Sequence, residues 1–249
     1  MISTASPIVI KNLSKSYGDK LILDNISLEI QQGHIFGILG RNGVGKTTLL
    51  ECLVGLREPN SGEIRILGQD FVKNRSTLLQ QIGVQPQEAS MFQHQTVLET
   101  IELFSSFYPK EKPIDEILSM LDLKEMKDKR VKSLSVGQRK RLLIAIALVG
   151  DPQILIFDEP TAGLDPQVRL MIWDVFRQLI QQGKTILIST HYMEEAQQLC
   201  DYVAILHDRK IVACNTPDNL IQEYADSGNR TLEGVFIKLT GNALRRGVD

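Results

Sequence analysis

The sequence predicts an α/β protein with a mostly parallel sheet, an N-terminal antiparallel β subdomain and an α-helical subdomain inserted among the strands. Three observations carry this reading. Short apolar runs alternate with helical stretches after residue 30, and strands joined by helical crossovers run parallel. A glycine-rich loop, "GRNGVGKTT", follows one of those runs and opens a helix. Ahead of both, two strand-like segments flank a turn at Gly18-Asp19.

Taken in order, "IVIKNLSKSYGDKLILDNISLEI" reads as the two strands, with Leu21, Leu23, Ile26, Leu28 and Ile30 at apolar positions. Gln31-Gln32-Gly33 turns into "HIFGILG", short enough for a buried strand, and the loop beyond it feeds a helix through Leu56. "PNSGE" is a turn, "EIRILG" a strand, and "IGVQPQ" (Ile82–Gln87) a strand running into a loop. From about Glu88 to Lys132 the spacing is helical: Leu98, Ile101, Phe104 and Phe107, then Ile117, Leu118, Leu121 and Leu123, interrupted by Pro109 and Pro113. "LSVGQRKRLLIAIALVG" is a loop opening into a helix, with Ser135 and Gly137 near its N-cap. "QILIFD" is a strand, Pro166 to Gln182 a helix stopped by Gly183, "KTILIST" a strand and "YMEEAQQLC" a helix. "YVAILHDRKIVAC" reads as a hairpin, and short helices finish the chain. Residues 1–249 are expected to form a single domain, with the helical subdomain at about 88–150 and a C-terminal extension at about 216–249.

Composition removes several classes of function. A net charge of −2 offers no broad basic field for nucleic acid, and Arg139-Lys140-Arg141 is a short tract expected on a solvated helix face. Cys52, Cys200 and Cys214 are odd in number and widely spaced, which fits reduced thiols rather than a disulfide framework or a zinc site. Met1 to Pro7 carries no apolar leader core, and Leu142 to Gly150 is far below the roughly 18 residues of a membrane span. The chain is not expected to cross a bilayer by itself.

Gly40-Arg41-Asn42-Gly43-Val44-Gly45-Lys46-Thr47 satisfies GxxxxGK[ST] between a strand and a helix, which makes the α/β core a P-loop NTPase core. The glycines let backbone N–H groups converge on phosphate oxygens. Lys46 can reach the outer phosphates, Thr47 can ligate Mg²⁺, and Thr48 can bond the α-phosphate. In "ILIFDEP" an apolar strand delivers Asp158 to its C-terminal end, where a carboxylate can hold the Mg²⁺ shell. Glu159 follows and can act as general base toward a water. The N-terminus of the helix behind Ser135 is a second anion-binding helix end, and one nucleotide does not need two.

In order and spacing these elements resemble the ATP-binding-cassette (ABC) ATPases, along nearly the whole chain. "LSVGQ" (Leu134, Ser135, Val136, Gly137, Gln138) is similar to the family's LSGGQ signature, with Val136 at the third-position glycine. Gln87 matches the Q-loop glutamine that the family places on Mg²⁺ and the lytic water; Gln85 is the alternative register. "AGLDP" matches the D-loop and places Asp165, and "STHYMEEA" matches the H-loop and places His191 near the γ-phosphate. Tyr17 falls where the family stacks an aromatic on adenine. The resemblance also explains the second helix end: two cassettes pair head to tail, and each signature helix completes the site of the other.

What the resemblance implies is an ATPase subunit using ATP and Mg²⁺, peripheral on the cytoplasmic face of the membrane. It would pair with a second ATPase subunit, most simply its own copy, and drive a separate permease. The groove for that permease is expected between Glu88 and about Tyr108, where Met91 and Phe92 either touch the partner or belong to the subdomain's own core. "GQRKRLLIAIALVGDPQILIFDEPTAGLDP", "HYMEEAQQLCD" and "LEGVFIKLTG" look like bacterial type 2 exporters of drugs, antibiotics or polysaccharides. Export is therefore expected ahead of import, and ahead of a soluble ABC ATPase working on ribosomes or DNA.

Overall fold

The computed structural model of the protein describes residues 6–225 and 229–241; residues 1–5 and, within the C-terminal extension, 226–228 and 242–249 lie outside the described residues. Strands β1 (Ile8–Tyr17) and β2 (Lys20–Ile30) form the expected hairpin, turning at Gly18 with a φ of 55°. Strand β3 (Ile35–Leu39) is buried at every residue, which is why its apolar run has no alternation. Helix α1 (Lys46–Leu53) follows the glycine-rich loop. It stops before Leu56 because Val54 caps it and Gly55 turns away at a φ of 71°. Strand β4 (Ser61–Ile66) and the two-residue β5 (Gln69–Asp70) complete an antiparallel sheet of order β2-β1-β4-β5. A short helix α2 (Arg75–Leu79) then leads to β6 (Ile82–Gln85).

The helical stretch begins later than its sequence suggests, since residues 88–95 are irregular. Helix α3 (Val97–Ser105) starts at Thr96, whose side chain and that of Glu99 cap each other's backbone N–H. Helix α4 (Ile114–Met120) starts at Pro113, and α5 (Val136–Leu148) at Ser135. Ile101, Ile117, Leu118, Leu121 and Leu123 are buried as the periodicity requires, whereas Phe107 lies past the end of α3 and is exposed. Fully burying each such side chain is worth about 1.5–3 kcal/mol. The remaining elements are β7 (Ile154–Asp158), α6 (Pro166–Gln181), β8 (Thr185–Thr190), α7 (Met193–Leu199), β9 (Tyr202–His207), β10 (Lys210–Asn215), α8 (Pro217–Tyr224) and α9 (Leu232–Gly241).

The second sheet has the order β10-β9-β3-β8-β7-β6, parallel throughout except for β10, which pairs antiparallel with β9. Phe157 on β7 stacks on Phe176 of α6 with ring centroids 4.6 Å apart, fixing that helix to the sheet. On β6, a Cβ at Gly83 would come within 2.0 Å of the Ala147 carbonyl oxygen, so only glycine lets β6 lie this close to α5. Burial pushes the Cys52 thiol up to about 11 and the Cys200 thiol well above its ordinary value, which keeps both as unreactive thiols.

Register brings the chemistry to one edge. Asp158 pairs with Ser189, Leu39 with Thr190, and Gln85 with Phe157. The C-terminal ends of β3, β6, β7 and β8 therefore finish side by side, and in parallel sheets ligands bind outside that edge. Among the described residues no helix is long and apolar enough to cross a membrane.

Candidate functional site

The loop Gly40 to Gly45 leaves the end of β3 and turns into α1 with φ of 78° at Gly43 and 113° at Gly45, backbone positions that favour glycine. No side chain caps α1 and no acidic residue sits in its first turn, so its leading N–H groups are left for an anion. Lys46 curls back over the loop, 4% exposed, and its ammonium donates to the carbonyls of Gly40 (2.9 Å) and Arg41 (3.2 Å). Asn42, Gly43, Gly45, Lys46, Thr47 and Thr48 line a cleft of about 270 Å³ together with Ile22, Gln87 and Glu159. Arg41 and Asn42 are exposed, and Val44 packs against the hairpin layer.

Two carboxylates stand at this site: Glu159 in the cleft wall, and Asp158 behind Thr47 in the adjoining groove. Asp158, 4% exposed, accepts from the Thr47 hydroxyl at 2.7 Å and from the Ser189 hydroxyl. Glu159 sits with one carboxylate oxygen 3.1 Å from the Lys46 ammonium and the other 3.1 Å from His191 Nδ1. The histidine nitrogen is close to that oxygen but not aligned as a hydrogen bond, and its ring packs on Tyr192. Glu159 has a φ of 49°, a left-handed conformation that costs a non-glycine residue about 1–2 kcal/mol. Its N–H compensates by donating to the Ser189 carbonyl (3.2 Å) and hydroxyl (3.0 Å) oxygens. Ser189 thus braces both carboxylate residues. The sequence marks it only as one residue of a strand, and its register opposite Asp158 is the signal that would have found it.

The two candidate glutamines separate cleanly. Gln85 is fully buried and its amide donates to the Asp158 carbonyl at 3.3 Å. Gln87 stands in the cleft wall beside Thr47 and Glu159. Lys140, on α5, reaches the carbonyls of Gln87 and Glu159. Burial pulls its ammonium below the ordinary lysine range, against the raising influence of Asp158, Glu159 and Glu88. Arg141 beside it is 7% exposed and donates to the carbonyls of Leu121 and Asp122 and to the Asp122 carboxylate. The expected solvated basic face is therefore corrected: two of its three cations turn inward to carbonyls that end neighbouring segments.

Other expected residues lie apart from the cleft. Ser135 caps α5, its hydroxyl accepting from the Gln138 N–H (3.2 Å) while the Gln138 side chain accepts from the Ser135 N–H (3.0 Å). Leu134 is buried beneath, and Val136, the first helical residue, is 60% exposed without a positive φ. Gly137 falls inside the helix, where an added Cβ would make ordinary contacts with Leu164 and Val168. None of residues 134–138 lines the cleft of Lys46. Asp165 caps α6, accepting from the N–H groups of Gln167 and Val168. Tyr17 ends β1 half-exposed, its ring 5.3 Å from the Lys15 ammonium and 5.8 Å from the Arg57 guanidinium; Ile22 of the same hairpin faces the cleft.

A phosphate-cradling loop, a lysine over it and a paired hydroxyl and carboxylate at the end of a parallel sheet define a nucleotide-binding P-loop protein. Residues 23–162 match the family described as ABC transporter. The Nod factor export ATP-binding protein I of Burkholderia orbicola (strain AU 1054) is 38% identical over 224 residues, covering 88% of this chain and 74% of that protein. Among solved structures, cbiO1 from Clostridium perfringens, described as part of the ABC transporter complex cbiONQ, is 30% identical with a TM-score of 0.78, over 88% of this chain and 91% of that one. The ATP-binding cassette MJ0796, solved as a dimer bound to ADP and Pi, is 28% identical with a TM-score of 0.76, over 84% of this chain and 98% of that one. The chain belongs to the ABC transporter family, and it is an ATPase of that family.

Proposed function

We propose that this chain is the ATP-hydrolysing subunit of an exporter, acting as one nucleotide-binding unit that pairs with a second copy of itself and docks on a separate permease at the cytoplasmic face of the membrane. The observation that carries the reading is the split between two helix ends. The N-terminus of α1 opens into the Lys46 cleft, whereas the Ser135 end of α5 is exposed and contributes nothing to it. The relative named for Nod factor export supports the direction, and the dimeric cassette supports the pairing.

In this reading Lys46 and the loop N–H groups hold the outer phosphates. Glu159 takes the proton of the attacking water on its carboxylate, and His191, 3.1 Å from that carboxylate, stands near the γ-phosphate. Asp165 serves the interface from the start of α6. The Thr47 hydroxyl, the Asp158 carboxylate and the Gln87 amide are hard oxygen donors that fit Mg²⁺, which takes few protein ligands and keeps phosphate and water oxygens. The described residues hold no cluster of three His, Cys, Asp or Glu that would suit a fully protein-ligated metal instead. When bound, the ion would supply positive charge that neutralises the phosphates.

Permease docking is assigned to the surface shaped by Glu88 to about Tyr108, where Phe92 is exposed, together with the apolar side (Leu50, Val54, Leu56, Val84 and Pro86) of a groove of about 290 Å³ whose other side holds Thr47, Gln87 and Asp158. Met91 packs in part on the protein's own core, whereas Phe92 is exposed, which favours Phe92 as the stronger contact of the two. Phe92→Asp is expected to weaken co-purification with its membrane-spanning permease subunit by about tenfold, the loss of one well-packed aromatic anchor. Unchanged association would move the docking surface elsewhere, and failure to associate with any membrane-spanning subunit would remove the transport reading.

Tyr17→Ala is expected to weaken ATP binding by roughly 1–3 kcal/mol, the worth of one base–aromatic stack, with the preference between ATP and GTP unchanged because every purine offers a π-face. Titration calorimetry decides it: an unaltered affinity makes Tyr17 merely the end of β1, flanked by two cations.

A further inference from the structure

The peptide of Glu159 is clamped from both sides. Ser189 takes its N–H, and the Lys140 ammonium donates to its carbonyl oxygen at 3.1 Å. The same ammonium donates to the Gln87 carbonyl at 3.3 Å. Lys140 belongs to α5, the helix that Ser135 opens. We propose that Lys140 is a positioning residue for ATP hydrolysis, a strut that ties the signature helix to the glutamate and the glutamine of the chain's own cleft.

A left-handed non-glycine residue persists only where its surroundings over-determine it, and here the determinants are Ser189 on β8 and Lys140 on α5. An ammonium with three donors can hold two carbonyls at once, and charge-assisted bonds are the stronger kind. The consequence is mechanical. Gln87 and Glu159 lie on different segments, yet a shift of α5 displaces both through one side chain. The Ser135 end of that helix is exposed and does not line the chain's own cleft, so contact made there is transmitted to the carboxylate that would take the proton.

The inference rests on the roles given above to Glu159 and Gln87, and its test has a readout independent of them. Lys140→Met keeps the side chain's length and removes the ammonium. The kcat of this variant is expected to fall about tenfold or more, with KM for ATP within about twofold, since a lost strut changes the reacting geometry rather than uniform binding. In the nucleotide-free protein, hydrogen exchange at the amides of residues 87–90 is expected to quicken about tenfold while the amides of α5 stay as protected as before. Lys140→Arg, whose guanidinium can still serve two carbonyls, is expected to restore both readouts to within about threefold. An unchanged kcat in Lys140→Met overturns the proposal, as does a lower kcat with unaltered exchange at 87–90, or a loosening spread along α5. If Glu159→Gln itself turned over ATP at the normal rate, the assignment of the glutamate would have failed, and exchange at the loop would still read the strut.

Discussion

Glu159→Gln is expected to lose turnover by on the order of 10²-fold or more, the usual consequence of removing a general base, while ATP binding survives. The amide keeps the shape of the side chain and discards its charge and basicity. Glu159 also holds the Lys46 ammonium in a buried ion pair at 3.1 Å, so its neutralisation has a second effect. Lys46 keeps its two carbonyl partners but no longer has a carboxylate competing with phosphate for its charge. Breaking a fully dependent buried pair costs about 3–5 kcal/mol, and the remaining carbonyls reduce that cost here. The variant is therefore expected to bind ATP at least as tightly as the wild type and to accumulate as an ATP-bound dimer on size-exclusion chromatography. Hydrolysis near the wild-type rate would remove the role assigned to Glu159 and leave Lys46 pairing as its only function.

The part of this site that is legible in the sequence is the part built from local rules. A Gly-rich turn before a helix, an apolar run ending in Asp-Glu, and Ser followed three residues later by Gln each specify their own geometry, and all three occur as such at Gly45, at Asp158 and at Ser135. What the sequence hides is whatever depends on a partner distant along the chain. Ser189 lies in a buried apolar strand with nothing local to mark it; only the register of β7 on β8 sets it against Asp158. Lys140 reads as one more cation on a helix until the fold sets its ammonium on the carbonyls of Gln87 and Glu159. The left-handed backbone of Glu159 cannot be inferred from a glutamate at all, because local sterics oppose it and distant hydrogen bonds enforce it. Among fold elements the same division holds. Helix α2 spans five residues and buries only Leu78, too few to generate a period, whereas the 16-residue α6 displays a full apolar face from Ile172 to Leu179 between its Asp165 cap and Gly183.

Mixing two inactive variants tests whether the Ser135 helix end serves another chain's nucleotide. Lys46→Ala disables the loop, and Ser135→Arg fills the signature end with bulk. Ser135→Arg also destroys the reciprocal cap with Gln138, worth about 1 kcal/mol, so Ser135→Asp is the companion variant: it keeps a good N-cap and sets a negative charge where a phosphate would arrive. If sites are shared, a heterodimer of the Lys46 and Ser135 variants holds one doubly damaged site and one made only of intact parts. If each chain completes its own site, every site carries a lesion. With random pairing and independent sites, an equal mixture is expected to recover roughly a quarter of the wild-type rate, since half the dimers are mixed and each has one sound site. A group supplied from another chain to a phosphoryl-transfer site can be worth about 10³–10⁵ in rate, so even partial recovery stands far above the separate variants. Dilution supplies the second arm for the case in which both sites must fire together and mixing recovers nothing. Wild-type specific activity is then expected to fall as the protein passes below its measured dimer dissociation constant. Activity that stays flat across that range, together with a Ser135→Arg protein that hydrolyses ATP on its own, would mean that the site of Lys46, Thr47 and Glu159 is complete within one chain and that the Ser135 end does no more than cap its helix.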